Sequence, residues 1–442
     1  MGYLQTQTYD PDDLDIPYDD FDEIDEWYES YQEYDAYMPD MTRELKPLTR
    51  QTDEACAKAR AAMDEVAGQL VPSVASESIA QLLLYDEAVS TSQAENYPVT
   101  CASMLEANAA MSETSMRADT PERVAMHAVE ALTDFVVSDS PRITLDEICH
   151  ANEMFARDSP RAEWCGELRD RPVWIGRSLF DAIYVAPPAD SLDDYMRDLL
   201  RFMNDRDDGM DPIAKAAISH VQFITVHPFE DGNGRTGRAL SQRILRQSGV
   251  LQTSCLPTTA VMVAQHGNYV DHIQDFRSLR GPADPNRFVT FFANCCEAAA
   301  KQTLKTAERI EGMLGDWHSK VPTHDADAHR AMEAFAACPA MTCTMLSSQL
   351  GKNSLPAIHT LMDAGIVEQG RSRLGGVDVY RAPQVILELE TAQRMRSLPI
   401  QAATGSAAHQ RRVQSIRENL SARTPIATDF DEACDDDMSL PY

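Results

Sequence analysis

The stretch Val226-His227-Pro228-Phe229-Glu230-Asp231-Gly232-Asn233-Gly234-Arg235-Thr236-Gly237-Arg238 places a titratable base, a carboxylate, closely spaced glycines and two arginines around one turn. Proline disfavours helical backbone at the residue before it, so a helix opened by Asp211-Pro212 should end near Val226 or His227. His227 then stands at a helix exit rather than in a packed face. Asp231 lies four residues on, where a short loop brings its carboxylate near the imidazole. Gly232-Asn233-Gly234 permits positive φ values that turn successive N–H groups inward as an anion nest. A helix starting there adds its N-terminal dipole to the attraction for phosphate. Arg235 and Arg238, three apart, share a helix face and are placed to clamp a polyphosphate. Asp231 beside phosphate would be repelled, and a bridging Mg²⁺ removes that conflict. The set points to phosphoryl or nucleotidyl transfer, with His227 as general base for an incoming hydroxyl.

Two look-alikes fail. Gly232, Gly234 and Gly237 fit G-x-G-x-x-G, but the preceding residues make a poor buried strand and no acidic residue stands about twenty positions later. The kinase glycine loop also fails, because Ala239 stands where a valine would follow and no catalytic-loop sequence appears.

Outward from this stretch, the 442 residues suffice for roughly two or three domains. The formal net charge of −31 opposes non-specific binding to nucleic acid or anionic membrane. The sequence has neither an eighteen-residue apolar run nor a secretory signal, so no membrane contact and a cytoplasmic location are expected. Its ten cysteines lack CxxC pairs or zinc spacing, the pattern of reduced thiols. Residues 1–42 hold fourteen Asp or Glu and no Lys or Arg, which predicts a disordered acidic arm. Helical patterning covers 43–115, and a core is expected over 116–314, with Val173-Trp174-Ile175-Gly176 in a short hairpin among its helices. Helices are read over 261–277 and 287–314, then a polar linker over 315–328. Residues 329–395 follow the order helix, helix, helix, strand, turn, strand, with strands at 365–367 and 377–380, which is the plan of a winged helix-turn-helix. Residues 396–442 read as another acidic tail.

His227 through Arg238 resembles the complete signature of the Fic family, and the likeness extends over roughly 48–388. The resemblance implies a mainly α, Fic-type helical fold with Val173, Trp174, Ile175 and Gly176 as a target-aligning β-hairpin flap. It implies transfer of AMP from ATP to a Ser, Thr or Tyr hydroxyl of a protein substrate. His227 would take the proton and Asp231 would hold Mg²⁺. Gly232, Asn233, Gly234, Arg235, Thr236, Gly237 and Arg238 would bind the ATP phosphates, and Tyr269 would lie on the adenine side. Gly234, where a kinase-like branch has lysine, favours nucleotidyl transfer. Val270 and Arg277 depart from the family pattern of a second tyrosine and an asparagine.

Thr91-Ser92-Gln93-Ala94-Glu95-Asn96 resembles the family's inhibitory helix. Glu95 paired with Arg238 would withhold the arginine that the γ-phosphate needs. Two alternatives use the same residues: removal of AMP from a modified protein, with Glu95 orienting water, and a nucleotide-sensing regulator without turnover. The expected recognition helix of the C-terminal segment, 354–364, holds no Lys or Arg. Contact with a protein, or with a second copy of this chain, is therefore expected there rather than binding to DNA.

Overall fold

A computed structural model describes residues 2–9, 32–70, 75–113, 120–159, 161–176, 179–277, 279, 281–372 and 376–396. Strands β1 (Tyr3–Tyr9) and β2 (Gln32–Met38) precede helices α1 (Arg50–Leu70), α2 (Ser76–Gln93), α3 (Cys101–Met111), α4 (Pro121–Val136) and α5 (Leu145–Ala156). A hairpin follows, β3 (Trp174–Gly176) with β4 (Ala182–Val185), then α6 (Leu192–Asn204), α7 (Pro212–Val226) and α8 (Asn233–Gln247). Helices α9 (Thr258–Val263), α10 (His266–Phe276) and α11 (Asn286–Lys320) complete the central body. Beyond it lie α12 (Ala326–Ala337), β5 (Ala340–Met341), α13 (Cys343–Leu350), α14 (Leu355–Asp363), β6 (Glu368–Arg371), β7 (Asp378–Arg381) and α15 (Pro383–Arg396). The fold is mainly α. Among the described residues no helix is long and apolar enough to cross a membrane.

Helix α7 is the axis of the body. Asp211 accepts the Ile213 N–H at 2.9 Å and Pro212 needs no donor partner in the first turn, so the start of the helix is specified locally. Every side chain from Ile213 to Val226 is buried. A helix buried all round has no solvent face to define it, which is why it packs against α1, α6, α8, α10 and α11 at once. Helix α1 lies along α11, burying Cys56, Ala59, Met63 and Val66.

Several expectations need correcting. The acidic arm is not disordered throughout: β1 and β2 pair antiparallel from Tyr3↔Met38 to Tyr9↔Gln32. Apolar contact supplies the reason, since Ala36 packs with Leu179 and Val185, and Tyr37 with Val173, Tyr184 and Ala186, against the β3–β4 hairpin. Residues 10–31, and the tail after Arg396, lie outside the described residues. The linker contracts to 321–325, because α11 runs through Gly315 to Lys320. Leu314 and Trp317 are buried, and Trp317 Nε1 donates to Gln384 Oε1 at 2.8 Å, so packing overrides the weak helix preference of glycine. The helix expected over 261–277 is two, α9 and α10, with Ala264 and Gln265 between them. The first C-terminal strand lies at 368–371 rather than 365–367, and β5 adds a third strand in the order β5-β7-β6. There Gly365, at φ 67°, ends the turn after α14, so pairing starts three residues later.

Helix α2 is enclosed by α4 and α9 on the core side and by α12 and α15 from the C-terminal segment. Within it Glu87 is 1% exposed, with Oε1 accepting the Thr259 hydroxyl at 2.5 Å. Burial pushes its carboxyl up to about 7, against the smaller opposing effects of Thr259, Arg238 and Gln242. Between the ordinary carboxylate value and about pH 7 the folded chain therefore holds a proton that the unfolded chain has lost. Stability from this group declines as pH rises through that window.

Glu87→Gln is accordingly expected to raise the melting temperature at pH 8 by on the order of 3 °C and to give no gain at pH 5. An equal change at both pH values would contradict the buried-charge account. Ala36→Asp, which puts a charge into the apolar seam under the flap, should destabilise by about 2 kcal/mol in denaturant unfolding. Substituting the neighbouring exposed Asp35 by Ala should change little.

Candidate active site

Helix α7 ends at Val226 because His227 turns left-handed, at φ 50° and ψ 61°. A non-glycine residue in that conformation stores on the order of 1–3 kcal/mol of strain, so its surroundings must hold it. The His227 N–H bonds back to the Phe223 carbonyl at 2.9 Å. Arg169, 4% exposed, spans the exit: Nε donates to the His227 carbonyl at 2.8 Å, Nη2 to Pro187 at 2.6 Å and Nη1 to Arg171 at 2.8 Å. The imidazole Nδ1 lies 3.3 Å from the Ile224 carbonyl. That contact requires the proton on Nδ1, leaving Nε2 as the basic nitrogen. Burial, and then the charges of Arg169 and Arg277, push the imidazole down to about 4, so His227 is neutral at pH 7.

The loop after His227 is closed by its own side chains. Phe229 is fully buried against Phe223, with ring centroids 6.1 Å apart. Asn233 accepts the Phe229 N–H at 3.1 Å and donates to its carbonyl at 2.8 Å. Its amide is thus spent on the loop rather than offered to phosphate. Asp231 Oδ1 accepts the Gly232 N–H at 2.5 Å and Oδ2 accepts from the Ser159 hydroxyl, while the Asp231 carbonyl accepts from Asn152 at 2.8 Å. The carboxylate is about one-third exposed, so it is fixed yet reachable.

Gly232, at φ 76°, begins α8, and no side chain caps that helix. The first-turn amides of Asn233, Gly234 and Arg235 are therefore donors without intrahelical acceptors, the usual setting for an anion. Only Gly232 of the expected Gly-Asn-Gly nest has positive φ; Gly234 lies within the helix. Gly234 is needed for a different reason, since any Cβ there would overlap Glu95 Oε1. Thr236 and Gly237 face inward rather than toward a ligand: Thr236 bonds Asn152 at 3.3 Å, and Gly237 lies against Ile224, Phe223 and His220.

The two arginines do not share one task. Arg235 is buried, donates to the Phe155 carbonyl, stands 3.9 Å from Asp231 and faces the Tyr97 ring at 5.9 Å. Arg238 is directed at α2. Its Nε donates to Thr91 Oγ1 at 2.8 Å, and its Nη2 to the Thr91 carbonyl at 3.2 Å and to Glu95 Oε1 at 2.5 Å. Glu95 follows the end of α2, and Asn96 at φ 63° turns the chain so that Tyr97 comes over Arg235. The Glu95–Tyr97 turn thus meets both arginines.

Tyr269 is placed against the lead-in helix, its hydroxyl 2.9 Å from His220 Nε2, and His220 stacks on Phe288. In the hairpin, Trp174 pairs with Val185 and Ile175 with Tyr184, while Gly176 takes φ 141°. Val173 is buried under the Tyr37 ring cluster. Asn152, Ser159, Arg169, Tyr184 and Tyr97 were not singled out as site residues from the sequence. Asn152 alone carried a local signal, as a polar residue within the apolar stripe Ile148, Ala151, Phe155. The others are recruited across the fold.

The Fic/DOC family model matches residues 142–245. A curated relative named protein adenylyltransferase fic-1, from Caenorhabditis elegans, is 26% identical over 198 residues, covering 43% of this chain and 35% of the relative. Protein adenylyltransferase Fic from Drosophila ananassae is 31% identical over 133 residues, covering 30% and 24%. The chain thus spans about a third or less of these relatives' lengths. Similar solved structures include a Fic family protein from Desulfovibrio desulfuricans G20, at 20% identity, 78% and 98% coverage and TM-score 0.45. Another is a Fic domain containing signaling protein from Bacteroides thetaiotaomicron, at 18% identity, 57% and 98% coverage and TM-score 0.45. The stretch that the Fic/DOC family model matches includes α7 and the entire loop from His227 to Arg238.

Proposed function

We propose that this chain is an autoinhibited protein adenylyltransferase that moves AMP from ATP to a hydroxyl of a protein. The observation that carries the reading is the juxtaposition of a neutral His227, an anion-ready start to α8 and an arginine held by Glu95. In the reaction the target hydroxyl oxygen attacks the α-phosphorus and its proton passes to His227 Nε2. The bond from the α-phosphorus to the bridging oxygen breaks, and pyrophosphate leaves. The depressed basicity of His227 secures the unprotonated form in the free enzyme. The α8 amides and Arg235 neutralise charge on the phosphates.

Asp231 suits Mg²⁺, being a hard oxygen donor that is oriented by Ser159 and the Gly232 N–H and still partly exposed. The described residues contain no group of three or more His, Cys, Asp or Glu placed to cage a metal, which accords with an ion held mainly by substrate phosphates. When bound, Mg²⁺ would neutralise phosphate charge during transfer.

Glu95 supplies the restraint. Its carboxylate lies beside Gly234 at the start of α8 and pairs with Arg238, so it takes both features that favour a phosphate there. The ion pair is nearly buried, where truncating one partner strands the other charge and has a large effect. For the C-terminal segment we favour a winged helix that contacts protein, since α14 carries no Lys or Arg while Arg381 is engaged by Glu106 at 2.8 Å.

With α-labelled ATP, Mg²⁺ and full-length protein, Glu95→Gly should raise AMP incorporation by at least about tenfold, since freeing one buried ionic contact corresponds to more than 1.4 kcal/mol. His227→Ala in that background should abolish it. Incorporation that persists without His227 would sink the reading. The acid limb of kcat/KM for the Glu95→Gly protein should fall well below pH 6.5, because His227 resists protonation down to about 4.

A further inference from the structure

Six consecutive carbonyls, from Phe223 to Pro228, cross the end of α7, and each meets a donor. Phe223 takes the His227 N–H, and Pro228 takes the Arg169 N–H at 3.0 Å. Arg169 side-chain nitrogens serve His227 at 2.8 Å and Val226 at 3.5 Å. The Tyr184 hydroxyl donates to Thr225. Arg277 Nη2 donates to Ile224 at 3.2 Å, and its Nε lies 3.4 Å from the Thr225 hydroxyl. A free helix end leaves about four carbonyls without partners, so this one is unusually fully held.

Of the three side chains in the set, Arg169, Tyr184 and Arg277, only Arg277 lies outside the matched stretch. It enters from the end of α10, outside the 142–245 stretch matched by the family model, and stands where the family resemblance leads one to expect asparagine. Its guanidinium lies 3.6 Å from the centroid of the Tyr184 ring, so it sits between the flap strand β4 and the last turn of α7. Tyr184 is also packed by Tyr37, with ring centroids 5.9 Å apart. The carbonyl that accepts from Arg277 is the same Ile224 oxygen that orients His227 Nδ1. Loss of Arg277 would leave that oxygen to the imidazole alone and would release the contact that locks flap to helix.

We propose that Arg277 is a positioning residue: wedged between Tyr184 and the carbonyl end of α7, it sets the direction of His227 Nε2 relative to the flap. The proposal rests on the reading of His227 as the base. It gives Arg277 no part in holding nucleotide, because its Nε and Nη2 are directed at Thr225 and Ile224 and its guanidinium lies over the Tyr184 ring. Loss of the wedge should therefore show in turnover rather than in ATP binding. Misplacement of a reacting group by about 1 Å can lower the rate by about a hundredfold.

The test uses full-length protein in the Glu95→Gly background. Arg277→Gln should lower kcat for AMP incorporation by about a hundredfold and leave the KM for ATP within about twofold of its parent. Arg277→Lys, which keeps the charge and one donor, should recover part of kcat at the same KM. A raised KM with unchanged kcat would overturn the proposal by making Arg277 a nucleotide ligand, and unchanged kcat and KM would overturn it outright. If Arg277→Gln does not fold, the lysine variant still decides, because the proposal requires a reduced kcat at constant KM. Proton NMR of the hydrogen-bonded His227 Nδ1–H gives a readout independent of turnover, and it should shift in either variant. An unmoved resonance contradicts the wedge even if His227→Ala shows that the base reading itself is wrong.

Discussion

A histidine in left-handed backbone, between a helix buried on every side and a proline, is the constraint on which the site depends. The helix cannot continue past Val226, since Pro228 follows, and the chain cannot bend away, since Phe229 is sealed in the core. The strain at His227 is tolerable only while the carbonyls around it are held. Arg169, Tyr184 and Arg277 hold them, and two of those three also fasten the hairpin. Fixing the base and fixing the flap are therefore one structural problem with one solution. The same two arginine charges disfavour the imidazolium, so the device that orients His227 also keeps it unprotonated.

Arg238 shows how restraint can be built from an ordinary requirement of burial. A guanidinium taken out of water needs a partner, and here Thr91 and Glu95 provide one from a helix outside the matched domain. Helix α2 is itself enclosed by the core and by the C-terminal helices, with Gln93 and Gln393 in contact at 3.3 Å. The position of Glu95 is thus set by packing on both sides of α2. Glu87, two turns earlier on the same helix, carries a carboxylate whose burial makes it favour a proton near neutrality.

The N-terminal strands illustrate a place where composition misleads. Net acidity predicts repulsion, and over 1–42 the charge is real, yet a short run of buried side chains at the end of β2 outweighs it locally. Ala36, Tyr37 and Met38 are all buried while Asp35 remains exposed, so the end of β2 is covered on both faces. Ala36 and Tyr37 meet apolar residues of the flap region, and Met38 joins the main core.

Much of the site was legible from residues a few positions apart. Proline before Phe229, the Asp211-Pro212 start, Gly232 at the helix entry and the carboxylate of Asp231 all act through steric or hydrogen-bond rules that reach only a few residues, so the sequence alone determined where α7 ends, where α8 begins and which groups line the turn between them. It could not determine what Asn233, Thr236 and Gly237 do, because their side chains or faces are taken by neighbours that only folding supplies. No local rule joins Glu95 to Arg238 across 143 positions, a pair that the family resemblance led one to expect, and only the tertiary structure decided that Arg277 meets Ile224 across 53. Such contacts depend on how separate helices pack, and packing is settled by the shapes of many buried side chains together rather than by any local spacing.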